Sequence, residues 1–195
     1  MAMPVRMLDP ATFRRMPWKN GGGETIEMLA YPEGADLARF DWRISMARVA
    51  SDGAFSRFDG IDRTLSVLEG GRLVLDFGTA RTVLDRHAEP FPFAGDAPVT
   101  GAVPDGPILD LNVMTRRGRF THRVLRLVDA LSATAGPHPL IAFAHRGEAR
   151  LDHAGMQHAI PEGHAAHVTD GGLAQLTAAP AGIAYLIEIR TAGGA

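Results

Sequence analysis

The sequence TLSVLEGGRLVL, residues Thr64–Leu75, consists of two short segments of alternating apolar residues on either side of Gly70-Gly71. Alternation with a period of two is typical of β-strands, and a glycine pair between two such segments favours a turn that reverses the chain. The same arrangement returns as LIAFAHRGEARL in Leu140–Leu151. Two copies of one strand–turn–strand unit indicate a duplicated β-structure.

Short alternating segments recur along the rest of the chain, separated by many of its 22 glycines and 13 prolines. Such spacing predicts an all-β sandwich or barrel with little helix. A short helix is predicted over Ala11–Arg15, after the capping pair Asp9-Pro10. Arg123–Leu131 fits both a strand and a helix, and we favour a strand for its first half. The predicted strands are Glu24–Leu29, Phe40–Val49, Thr64–Leu68, Arg72–Phe77, Pro107–Thr115, Leu140–Phe143 and Ala184–Arg190.

Composition limits the class of protein. The chain has 195 residues and a formal net charge of −2, which argues against a dedicated nucleic-acid binder, since such proteins are usually basic. The absence of cysteine excludes disulfides, thiolate nucleophiles and cysteine-ligated zinc. The sequence has neither a secretory apolar segment nor an apolar run of about 18 residues. We therefore expect a cytoplasmic protein with no nucleic-acid or membrane partner.

The segment WKNGGGET, Trp18–Thr25, has the residue types of an anion-binding loop. Gly21 and Gly22 leave backbone N–H groups unobstructed, Lys19 adds a positive charge, and Asn20 can both donate and accept hydrogen bonds. The loop matches neither the phosphate-binding loop of nucleotide hydrolases nor the dinucleotide-binding fingerprint. A flexible turn leading into a strand explains the same residues, so the sequence leaves both interpretations open.

Two predicted strands carry polar residues on one face. In FDWRISMA, Phe40–Ala47, alternation places Arg43 and Ser45 together, and in DLNVMTRR, Asp110–Arg117, it places Asp110, Asn112 and Met114 together. Such a face either lines a polar pocket or lies half-exposed on an ordinary antiparallel sheet.

These segments occur together with DGAFSRFDGIDR and VLEGG within Asp52–Gly71, and with PFPFAGD, Pro90–Asp96. Taken in this order, they resemble the HutD/Ves family. The resemblance implies a cupin (RmlC-like) double-stranded β-helix with two fused barrel halves, which we place at residues 1–131 and 132–195 of one compact unit, the termini being free to cross between halves. It also implies a role in sensing or moderating histidine utilisation, with ligands such as N-formylglutamate or urocanate.

Metal-binding cupins use a His-x-His pair, a glutamate and a later histidine as ligands. In the register that the resemblance gives, Arg63 takes the place of the glutamate, and Pro98 takes that of the later histidine. The His-x-His positions fall near Ser56–Asp59. We therefore expect neither a metal nor another cofactor. An arginine in place of a carboxylate makes an anion site, and a buried arginine requires a counter-ion, for which Asp62 and Glu69 are candidates.

Most histidines lie in the C-terminal third. No His-x-His pair accompanies them, so we interpret them as surface or core residues rather than as a metal site. They are His138, His145, His153, His158, His164 and His167.

If the strands around Arg43, Arg63 and Asn112 line one barrel, their polar side chains converge on a single anion pocket. The predicted ligand-binding residues are Lys19, Asn20, Gly21, Gly22, Arg43, Ser45, Arg63, Asn112 and Met114.

Three functions are compatible with these residues. We favour a metal-independent, non-catalytic protein that binds a small anionic metabolite, and a homodimer is compatible with that function. The alternative is a metal-independent hydrolase, isomerase or lyase acting on a small carboxylic acid. Lys19 and Arg63 would then hold the substrate, and the general base would be Glu24, Asp62 or Asp110. A purely structural dimer module is the third.

Overall fold

The computed structural model describes residues 4–19, 21–136, 138–170 and 172–193, and almost all of their regular structure is β-strand. The all-β prediction is therefore confirmed. Within these residues no helix has the length and apolar character needed to cross a membrane. In chain order the elements are β1 (Val5–Leu8), a 3₁₀ turn (Pro10–Thr12), β2 (Arg14–Pro17), β3 (Gly23–Tyr31), β4 (Trp42–Val49), β5 (Gly53–Ala54), β6 (Ile61–Gly70), β7 (Leu73–Asp76), β8 (Arg81–Leu84), β9 (Phe91–Ala94), β10 (Thr100–Ala102), β11 (Ile108–Arg116), β12 (Phe120–Val128), β13 (Ser132–Ala135), β14 (Leu140–Arg146), β15 (Ala149–His153), β16 (Met156–Ile160), β17 (Ala165–Val168), β18 (Ala174–Ala178) and β19 (Ile183–Thr191).

The strands belong to two compact units. The first unit is Phe13–Thr121, and the second combines Met1–Thr12 with His122–Ala195. In the first unit the larger sheet has the order β2-β3-β4-β11-β6-β9 and the smaller one the order β5-β10-β7-β8. Pairing is antiparallel wherever two of its strands meet. The apolar core of this unit includes Leu65, Leu73 and Leu75, all fully buried.

The second unit repeats this plan with sheets ordered β1-β17-β14-β19-β12 and β13-β18-β15-β16. The two segments with matching sequence patterns occupy equivalent places. β6 lies in the larger sheet of the first unit and continues into β7 of its smaller sheet, as β14 continues into β15 in the second unit. Gly70 ends β6 with φ of 91°, and a Cβ there would lie 2.4 Å from the Pro107 carbonyl oxygen. Glycine is therefore required at this turn.

The division into units differs from the one predicted at residues 131 and 132. The first unit ends at Thr121, and residues 1–12 group with the C-terminal part of the chain. The predicted division had left such a crossing of a terminus open, so the difference lies in the boundary at Thr121. Strand pairing explains both features, because β1 pairs with β17 and β12 is a neighbour of β19. Hydrogen bonding between distant strands leaves no trace in local composition.

The predicted helix over Ala11–Arg15 is wrong. Only a 3₁₀ turn forms, in which the Thr12 N–H donates to the Asp9 carbonyl oxygen at 2.9 Å. The chain is extended again from Arg14, where β2 pairs with β3. Sheet pairing thus outweighs local helix preference. The strand favoured for the first half of Arg123–Leu131 is confirmed as part of β12.

The third glycine of the Gly21–Gly23 run has a packing role that can be tested. A Cβ on Gly23 would lie 2.0 Å from the Arg48 carbonyl oxygen, whereas one on Gly53 would meet no atom within 4 Å. We expect Gly23→Ala to lower the free energy of unfolding by about 1–3 kcal/mol, typical of overpacking, and Gly53→Ala to change it little. Urea unfolding of both variants checks this, and equal stabilities would contradict the assigned close approach.

Candidate functional site

The interior face of β4, β11 and β6 is built from rows of directly opposed residues. Successive rows are two residues, or roughly 7 Å, apart along the strands. The middle member of each row comes from β11. Each polar side chain on this face of β11 therefore lies between a residue of β4 and a residue of β6. The rows are Arg43–Met114–Arg63, Ser45–Asn112–Leu65 and Ala47–Asp110–Val67.

The members of these rows from β4 and β11, together with Arg63 of β6, form the floor of a cavity of about 600 Å³ within the first unit, a volume typical of small-molecule sites. The other two members from β6, Leu65 and Val67, belong to the apolar core. Other parts of its wall come from Trp18, Lys19 and Gly22 before β3, and from the segment 51–56 around β5. Aromatic rings of Phe55 and Phe58 supply apolar surface. The cavity therefore combines apolar walls with a polar, partly charged floor.

Arg63 is the central charged group of that floor, with only 6% of its surface exposed. Its Nε donates a hydrogen bond to Asn112 Oδ1 at 2.8 Å, and its Nη2 donates to the same oxygen. Its Cζ lies 4.9 Å from the ring centre of Phe55 and 5.3 Å from that of Phe93. The guanidinium is thus held by a neutral amide and by two aromatic faces, which attract cations.

Asn112 also forms a hydrogen bond with Asp110. Its Nδ2 donates to Asp110 Oδ1, which links the three side chains in one hydrogen-bonded chain. Asp110 is fully buried, and burial raises the pKa of its carboxyl from 3.8 to about 7 against the opposing effects of Arg63, Asn112 and the backbone N–H of Ala47. Burial also lowers the pKa of Arg63 to about 10, helped by the neighbouring Arg43 and opposed by Asp110. Arg63 stays charged at neutral pH.

Arg43 is held differently, by an ion pair. Its Nε donates to Glu27 Oε2 at 2.6 Å, and both side chains are largely buried. Within the described part of the chain, Arg43 Nη2 has no hydrogen-bond partner. Because an unpaired buried donor is costly, this nitrogen is suited to a ligand oxygen.

The Trp18–Gly23 loop is closed by its own hydrogen bonds. Gly21 N–H donates to the Trp18 carbonyl oxygen at 3.0 Å, and Trp18 N–H donates to that of Gly23 at 2.9 Å. Trp18 Nε1 donates to Thr25 Oγ1 at 2.9 Å. The N–H of Gly21 is therefore used inside the loop, while Lys19 and Gly22 face the cavity.

Most of the predicted ligand-binding residues lie together. Gly21 does not line the cavity, and Asn20 lies outside the described residues. The cavity brings together the predicted residues Lys19, Gly22, Arg43, Ser45, Arg63, Asn112 and Met114.

Of the three candidate general bases, Asp110 alone lines the cavity. Glu24 pairs with Arg15 at 3.1 Å, and Asp62 pairs with Arg117 at 2.8 Å, both outside it. The prediction that Asp62 or Glu69 is the counter-ion of Arg63 is wrong. Asp62 neighbours Arg63 on the strand and so faces the other way, while Glu69 is exposed. Asp110, reached through Asn112, is the nearby carboxyl group.

Sequence reasoning missed several members of the site. One is Glu27, which pairs with Arg43 from another strand. The others are Phe55 and Phe93, whose rings lie beside Arg63 and come from other parts of the chain. Alternation along β3 could have placed Glu27 beside Thr25 on one face. No local pattern could have paired Phe93 with Arg63, because that contact depends on the pairing of β6 with β9.

The floor of the cavity does not fit a metal ion. Arg43 and Arg63 would repel a cation, and the side chain between Arg63 and Asp110 is a neutral amide. Among the described residues no three His, Asp or Glu side chains are grouped closely enough to hold a metal. Of the C-terminal histidines, His153 is buried and its Nε2 lies 3.0 Å from Asp170 Oδ2.

Asp110 makes stability depend on pH. Because its pKa is raised to about 7 in the folded chain, the native state holds this proton more tightly than the unfolded state between about pH 4 and 7. The free energy of unfolding therefore falls as pH rises through that interval, by at most about 4 kcal/mol. We expect Asp110→Asn to remove this loss, measured by urea unfolding from pH 4.5 to 8. The exposed-pair variant Asp62→Asn should keep it, and parallel curves for wild type and Asp110→Asn would contradict the assignment.

Comparison with known proteins agrees with this architecture. The protein Ves of Citrobacter koseri is 40% identical over 143 residues, which are 71% of this chain and 73% of that protein. A solved structure of a conserved protein of unknown function from Pseudomonas aeruginosa PAO1 is 30% identical, with a TM-score of 0.85 over 95% of this chain and 98% of that one. HutD from Pseudomonas fluorescens SBW25 is 28% identical, with a TM-score of 0.82 over 97% of this chain and 100% of that one.

More distant structures share the fold alone. A cupin 2 conserved barrel domain protein from Leptotrichia buccalis is 11% identical, with a TM-score of 0.52 over 86% of this chain and 88% of that one. The predicted cupin fold is therefore confirmed. Residues 10–186 match the family described as HutD. The resemblance seen in the motifs of the first 120 residues thus extends through most of the sequence, and the chain belongs to the HutD family.

Proposed function

We propose that the cavity of the first unit binds a small carboxylate without a metal, and that the protein senses or moderates histidine utilisation through this ligand. The observation that carries the proposal is the state of Arg63. Its charge is buried, and within the described residues its hydrogen-bond acceptor is a neutral amide rather than a carboxylate. A buried guanidinium held this way favours an anion beside it.

Arg43 supports the same ligand class. Its Nη2 is a buried donor with no partner among the described residues, and it lies across β11 from Arg63. Two guanidinium groups facing one cavity can together hold a carboxylate or the two ends of a dicarboxylate. Lys19, on the exposed part of the wall, adds attraction for anions that enter.

The size and walls of the cavity favour a metabolite over a polymer. A volume of about 600 Å³ holds a molecule the size of N-formylglutamate or urocanate. Trp18, Phe55 and Phe58 offer flat apolar surface for the body of such a ligand. The link to histidine utilisation comes from the HutD family, whose members are associated with genes for that pathway.

A catalytic role is the second candidate, and one observation favours it. Asp110 faces the cavity and has its pKa raised to about 7, as suits a general base at neutral pH. Incubation of each candidate ligand with the protein, followed by mass spectrometry, separates the two functions. An unchanged ligand supports binding alone. A product that disappears in Asp110→Asn would establish an enzyme.

The proposal predicts that affinity depends on Arg63. Charge-assisted hydrogen bonds contribute about 1.5–3 kcal/mol each, so we expect Arg63→Gln to weaken the binding of N-formylglutamate or urocanate roughly 10- to 150-fold. Isothermal titration calorimetry on EDTA-treated protein measures this.

The matched control is Arg72→Gln, which removes an exposed arginine paired with Asp105 at 2.8 Å and should leave affinity unchanged. Circular dichroism establishes that both variants are folded. Equal affinity of folded Arg63→Gln and wild type would refute the assigned role of Arg63, and no heat with any candidate ligand would refute the proposed function.

A further inference from the structure

Asp110 carries a feature that anion binding by arginines does not explain. Its side chain is fully buried and lines the cavity, yet within the described residues Oδ2 has no hydrogen-bond partner. Oδ1 accepts from Asn112. A carboxylate oxygen buried without a donor is costly, and beside a cavity it is a position for a ligand group or a proton.

The hydrogen-bonded chain fixes where such a proton would be. Arg63 can only donate, so the atom of Asn112 that faces it must be the acceptor Oδ1. The amide nitrogen of Asn112 then faces Asp110 and must donate to its Oδ1. Asp110 Oδ1 is therefore an acceptor in either protonation state, and a proton on this carboxyl group resides on Oδ2, the oxygen without a partner.

The charges around the cavity determine whether an anionic ligand favours the protonated or the ionised form of Asp110. Arg43 is already neutralised by Glu27, and Asp52 of the segment after β4 accepts a hydrogen bond from Val103 N–H at 2.8 Å. Ionised Asp110 would place a second negative charge beside an incoming carboxylate in a buried site, where like charges repel strongly. Protonated Asp110 removes that charge and adds a donor. The titratable side chains that line the cavity are Lys19, Arg43, Asp52, Arg63 and Asp110.

We propose that Asp110 binds the ligand in its protonated form, with Oδ2–H donating a hydrogen bond to a ligand carboxylate, so that binding takes up a proton from solvent. This inference rests on the proposed function. The one bond that forms is Oδ2–H, the proton comes from the buffer acid, which is left as its conjugate base, and the ligand stays anionic. The raised pKa of Asp110 means that the free carboxyl group is already half protonated near neutral pH. Affinity is therefore highest below pH 7 and falls above it.

The test is calorimetric titration with N-formylglutamate and with formate, neither of which changes its charge between pH 6 and 9. Titrations at pH 8 in buffers of different ionisation enthalpy give the number of protons taken up. We expect close to one proton per ligand in the wild type at pH 8 and fewer at pH 6. The dissociation constant should rise by up to tenfold per pH unit above the pKa of Asp110.

Two variants make the assignment specific. Asp110→Asn, whose amide can still donate to the ligand, should show no proton uptake and a pH-independent affinity. Asp62→Asn, which removes an exposed carboxylate outside the cavity, should behave as the wild type. Binding without proton uptake in the wild type, or uptake that persists in Asp110→Asn, would overturn this inference and leave the proposed function standing. No heat with either ligand would overturn both.

Discussion

The buried charge of Arg63 constrains the organisation of the first unit. A guanidinium with 6% exposure cannot remain among β-strands unless its donors and its charge are compensated. The compensation comes from three directions, through the amide of Asn112 on β11, the ring of Phe93 on β9 and the ring of Phe55 beside β5. Three separate parts of the first unit thus hold one cation, and the cavity lies beside it.

That arrangement also accounts for the chemistry of the floor. Arg63 is paired with an amide, and the acidic group of the network is Asp110, two residues along β11 from Asn112. There burial works against ionisation, and the carboxyl group becomes sensitive to pH in the neutral range. Arg43 pairs with a carboxylate of its own, Glu27, and its Nη2 is buried without a hydrogen-bond partner among the described residues. The floor of the cavity thus combines two guanidinium groups with a titratable acid on β11.

The cupin fold does not require particular residues in its cavity. A cupin 2 domain protein with 11% identity shares the fold, because the fold depends on alternating apolar positions and turn glycines rather than on the residues of the cavity. On β6, Leu65 and Val67 pack in the core, while Arg63 of the same strand lines the cavity. Packing and ligand chemistry therefore occupy different positions of the same strands and can change independently.

The sequence by itself determined the β class, the strand faces and the residue types of the site. A period of two is a local property, so it correctly placed Arg43 with Ser45 and Asp110 with Asn112. Local patterns could not determine which strands are neighbours. The tertiary structure alone decided that β1 pairs with β17 and that Arg14 begins a strand instead of continuing a helix. It also decided that Glu27 contacts Arg43 and that Phe93 contacts Arg63. The reason is physical: strand pairing and charge compensation are made between residues far apart in the chain, and their energies outweigh local preference.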